Sequence, residues 1–93
     1  QDIKELVKRA LAGDPVGALA AAHARSEAIA KEHGADGPEH GRALFDEAYL
    51  PLTLKLWDRA AELQIRAGRY RGDEPAHERE RLTFLLNAGE SLA

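Results

Sequence analysis

Residues 38–67, PEHGRALFDEAYLPLTLKLWDRAAELQIRA, decide how this chain folds. Apolar side chains recur three or four positions apart throughout: Leu44, Phe45, Ala48, Tyr49, Leu52, Leu56, Trp57, Ala60, Leu63 and Ala67. That is the period of one helix face, and no strand-like alternation competes with it. Pro51 is the one obstacle. It has no N–H to donate, and its ring crowds the carbonyl four residues earlier. No Ser, Thr, Asp, Asn or Gly directly precedes it to cap a fresh start. The pattern predicts one long helix from Pro38 to Ala67, kinked near Glu47–Pro51, in preference to two helices meeting there.

Upstream, Gly34, Gly37 and Pro38 mark a loop. Before it lies a helix from Pro15 to His33, with Asp14 as N-cap, Pro15 in its first position and Gly34 as its stop. A shorter first helix is capped by Asp2, carries Ile3, Leu6, Val7, Ala10 and Leu11 on one stripe, and ends at Gly13. Downstream, Gly68 ends the long helix and RYRGD, residues 69–73, connects to the last one. Asp73 reads as its N-cap. Leu82, Leu85 and Leu86 supply its expected buried face, with Phe84 as a further candidate. Short loops place consecutive helices antiparallel. The expected fold is all-α: a four-helix bundle forming a single domain over residues 1–93.

Composition narrows the function classes. The 93 residues are 44% hydrophobic and 31% charged, a globular balance. The net charge of −3 is mild and its signs are interspersed, so there is no basic block to meet nucleic acid. No apolar run approaches the ~18 residues of a membrane span. The absence of Cys excludes disulfides, thiolate catalysis and Cys-ligated zinc. The chain begins at Gln1, read as a processed, tagged or trimmed start; no signal peptide or other targeting signal is seen, and localisation stays open.

Chemistry concentrates in residues 16–33, VGALAAAHARSEAIAKEH. A heptad seam started by Val16 and Leu19 continues through His23, Ser26, Ala30 and His33. Small residues surround it: Gly17, Ala18, Ala20, Ala21, Ala22, Ala24 and Ala28. Such a helix leaves space, and His23 is expected to point into it. Neutral imidazole ligates haem iron and zinc well.

Rich in Ala, Leu, Glu and Arg, free of Met and Cys, and punctuated by Gly and Pro, the chain resembles a de novo designed helical bundle. With one mid-helix His between Ala20 and Ala24, it resembles designed haem- or porphyrin-binding four-helix proteins. The resemblance implies a flat apolar cofactor, haem or a synthetic metalloporphyrin, with His23 as axial metal ligand. It implies a lining of Ala20, Ala24, Phe45, Tyr49, Leu52, Leu56, Trp57 and Leu85. With no second core His, the sixth coordination position stays open for oxidation or carbene transfer. The expected partner is this small molecule, bound by a monomer.

Other readings stand beside it. His23 can serve as base or nucleophile in a metal-free binder or enzyme, with Glu27 orienting it and Ser26 donating a hydrogen bond. Alternatively Phe45, Tyr49 and Trp57 fill the space, and the chain is a ligand-free scaffold or interaction module. Glu74-x-x-His77 has the spacing of a di-iron motif but occurs once, in an exposed first turn, where a solvated helix start explains it. Asp46 and Glu47 are expected to face solvent.

Overall fold

The computed structural model describes residues 2–93, and the secondary structure among them is entirely helical. α1 spans Ile3–Leu11, α2 Pro15–His33, α3 Pro38–Glu47, α4 Tyr49–Thr53, α5 Trp57–Ala67 and α6 Pro75–Leu92. Five of these have nine residues or more; α4 has only five.

The first two helices start and stop where their residues dictate. The Asp2 carboxylate accepts from the Glu5 N–H at 2.9 Å, and Asp14 accepts from the Gly17 N–H at 3.0 Å. Gly34 closes α2 at φ 95°, a left-handed value that suits glycine. The last helix begins one residue later than expected. Asp73 is not its cap; extended Glu74 is, without a side-chain cap bond, and Pro75 follows in the first helical position. The residue before a proline is pushed out of the helical region, which places the boundary at Glu74.

The single long helix from Pro38 to Ala67 does not form. A minor interruption does fall at Ala48, inside the expected kink, because Pro51 has no N–H for the Glu47 carbonyl. Hydrogen bonding continues around it, from Ala48 N–H to Leu44 (3.1 Å) and from Leu52 N–H to Ala48 (3.0 Å). The real break is at Leu54–Leu56. Lys55 takes φ 60°, its N–H donates to the Leu52 carbonyl (3.1 Å), and the Leu56 N–H reaches back to Pro51 (2.8 Å). This double closure is a Schellman turn with lysine in the place usually held by glycine. It folds α5 back onto α3, so that Leu44 and Ala48 share a core with Leu63 and Ala67.

The resulting packing is serial. α1 lies on α2, α2 on α3, α3 on α5 and α5 on α6, while α4 bridges α1 and α5. α1 and α6 share no substantial contact, so the row does not close into the expected four-helix bundle. Two clusters hold it. Leu6, Ala10, Ala18, Ala22 and Leu50 form one; Leu44, Ala48, Leu63, Ala67, Tyr70 and Phe84 form the other. The Cα extents of 41 × 33 × 16 Å describe a slab about two helix layers thick, given interaxial distances near 10 Å. Gly41 lets Tyr70 pack close against α3: a Cβ there would stand 2.5 Å from Tyr70 Cδ2.

Candidate functional site

α2 is rotated relative to the expected seam. Its buried strip is Ala18, Ala22 and Ser26, at a spacing of four, where small side chains let α1 and α3 approach. Ser26 is fully buried, and its hydroxyl donates to the Ala43 carbonyl at 3.4 Å rather than serving His23. Ala20, His23 and Ala24 therefore lie on the exposed side. The small residues Ala18, Ala22 and Ser26 serve close packing, and His23 stands outside that buried strip.

His23 is half exposed and stands between two carboxylates. Nε2 is 3.7 Å from Glu27 Oε1, and Nδ1 is 3.8 Å from Glu47 Oε2. Glu47, expected in solvent, is 3% exposed, and its Oε1 has no hydrogen-bond partner. Asp46 next to it is half-buried. Burial pushes its carboxyl up from the ordinary value, against the opposing pull of Arg25, whose Nη2 lies 3.7 Å away.

The remaining expected lining residues do not converge on His23. Phe45 stacks on Phe84 with centroids 4.2 Å apart and meets Tyr49 edge-on at 6.3 Å. Tyr49 lines a groove of about 780 Å³ with Ile3, Val7, Arg25 and Asp46. Leu52 and Trp57 line a different groove, with Gln64, Asn87, Ser91 and Leu92. Leu56 and Trp57 are exposed at the start of α5. Leu85 leans on Gly68, where a Cβ would fall 2.7 Å from its side chain. Among the described residues, the side chains expected around a flat cofactor are thus spread over separate grooves and contacts. Among the described residues, no cluster of three His, Asp or Glu is arranged to hold a metal ion.

His77 and Glu74 are no metal pair either. His77 Nε2 lies 4.0 Å from Glu74 Oε2, and the His77 ring sits edge-on to Tyr70. Tyr70 is the side chain that sequence reasoning passed over. Buried near the start of the α5–α6 connection, it donates its hydroxyl to Glu80 Oε1 at 2.7 Å, and Arg42 Nε holds the same carboxylate at 3.0 and 3.1 Å. Arg81 covers the Tyr70 ring at 5.3 Å and donates to the Gly72 carbonyl at 3.0 Å. A tyrosine in a loop carries no periodic signal, so its role as a tie between α3, α6 and the connection was not legible.

The most consequential reversal is in α6. Its buried residues are Phe84 and Ala88, whereas Leu82, Leu85 and Leu86, expected inside, are 54%, 40% and 70% exposed. Leu92, 58% exposed near the end of α6, lies nearer the Ala88 side and borders the groove that holds Leu52 and Trp57. At 100° per residue, Leu82 and Leu86 lie roughly opposite Phe84. α6 thus has two apolar sides, and only one is covered. Comparisons with protein-family models, curated proteins and solved structures found no match to this chain.

Proposed function

We propose that this chain is an interaction module that docks another helix on the outer face of α6. The observation that carries the reading is the pair Leu82 and Leu86, open to solvent and flanked by part-exposed Leu85, on a helix whose opposite side is already packed. A surface helix ordinarily turns a polar face outward, and a contiguous apolar patch rimmed by charge marks an association site. Position supports it: among the described residues α6 packs mainly on α5, and no other helix packs substantially against it. Chemically, the face offers leucine knobs, which suit recognition by shape and hydrophobic burial.

The test is a double variant, Leu82→Lys with Leu86→Lys, probed with the apolar-surface dye bis-ANS. Both residues are more than half exposed, so the melting temperature should shift by no more than about 3 °C. The parent protein is expected to enhance dye fluorescence and the variant to lose most of that enhancement. Equal dye binding by the two proteins sinks the reading.

A further inference from the structure

We propose that the partner on α6 is a second copy of this chain, seated antiparallel so that Arg79 of each copy faces Glu90 of the other. The inference rests on the reading of the outer α6 face as a docking surface, and the arrangement of charge around that face selects the occupant.

Arg79 and Glu90 are both exposed, and neither makes an ion pair within the chain among the described residues. They are eleven residues apart, which is three turns plus about 20°, or roughly 16 Å along the axis. They therefore share one flank of the leucine strip. The midpoint between them falls between Phe84 and Leu85. The midpoint between Leu82 and Leu86 falls at Phe84, half a residue away and under about 1 Å along the helix. One two-fold axis through this point serves both sets. It lays Leu82 of one copy near Leu86 of the other and brings Arg79 over Glu90 twice.

Charge also decides direction. A parallel pair in register would set Arg79 beside Arg79 and Glu90 beside Glu90, which repels at both ends. The antiparallel pair turns both contacts into attractions. Such an isologous contact is self-complementary and closes on itself, as a C2 interface must. Gly89 assists on the same face: a Cβ at that position would meet nothing within 4 Å, so the bare backbone leaves room for close approach. The leucines supply affinity, and the rim charges set register.

Light scattering on the eluting protein is the test, with bis-ANS binding measured on the same samples. At about 100 μM the parent is expected at twice the 10.2 kDa chain mass. Arg79→Glu should weaken the dimer about tenfold, since two rim attractions become repulsions. Combining Arg79→Glu with Glu90→Arg should restore it, because the pair is only exchanged. A dimer indifferent to Arg79→Glu overturns the proposal, as does a parent that stays at monomer mass at about 1 mM. In that second case the dye separates the two readings: binding that depends on Leu82 and Leu86 leaves the docking face standing with a different partner, and its absence removes both.

Discussion

Tyr70 ties the α5–α6 connection to the body of the molecule with one hydroxyl. Its phenol is pushed up to about 12, first by burial and then by the Glu80 carboxylate that accepts its proton. The raised value favours the neutral form in the folded state. Its stabilising contribution is therefore complete below the unfolded value of 10.0 and is lost as pH rises through about 12. Tyr70→Phe is expected to lower stability at neutral pH by about 1.5–3 kcal/mol, the worth of a hydrogen bond to a charged acceptor. It should also flatten the alkaline loss above pH 10.0. Urea unfolding at neutral pH and at about pH 11 measures both effects, and identical alkaline losses in parent and variant would refute the assignment. A comparable charge-held contact sits at Asp14. The Arg9 guanidinium and the Gly17 N–H hold its carboxyl below the ordinary carboxylate range, and this aspartate was identifiable as a cap from its place before Pro15. His23 shows the opposite case. Its residue type was informative, but which side of α2 it occupies depends on what α1 and α3 pack against.

Among the elements, the break at Leu54–Leu56 has the largest consequence, and its residues conceal it. Left-handed backbone costs a non-glycine residue about 1–2 kcal/mol. Lys55 adopts it because the turn returns two carbonyls to hydrogen bonding and lets α5 cover α3. Lys55→Gly should relieve that strain and raise stability by about 1 kcal/mol, or roughly 4–8 °C in melting temperature for a domain of this size. A thermal melt checks it; a fall would show that the lysine side chain itself holds the turn. α6 poses a related problem. Its sequence carries two apolar stripes, and periodicity identifies a stripe without saying which partner it meets. Phe84 goes inward because Phe45 is there to stack on it at 4.2 Å.

At the scale of the whole molecule, an open row of helices distributes stability unevenly. α3 and α5 are packed on both sides, whereas α1 and α6 each leave a side uncovered. Arrays that contact only near neighbours open from their ends. Amide exchange at micromolar concentration should be slowest in α3 and α5 and faster in α1. Uniform protection across the helices would show that the row unfolds as one unit. Protection of α6 that rises with protein concentration is the separate signature of self-association.

The residues by themselves determined the all-helical class, the caps at Asp2 and Asp14, the stop at Gly34, the helical start at Pro38 and the interruption near Pro51. Each is a local consequence of hydrogen-bonding capacity or backbone sterics within a few positions. Only the tertiary structure decided that residues 38–67 reverse at Lys55, that the small residues of α2 serve close packing, and that the leucines of α6 face outward. Those outcomes depend on which surfaces compete for the same neighbour, and that competition is settled between elements distant in the chain. A periodic pattern records that a face is apolar; packing decides which of two apolar faces is buried.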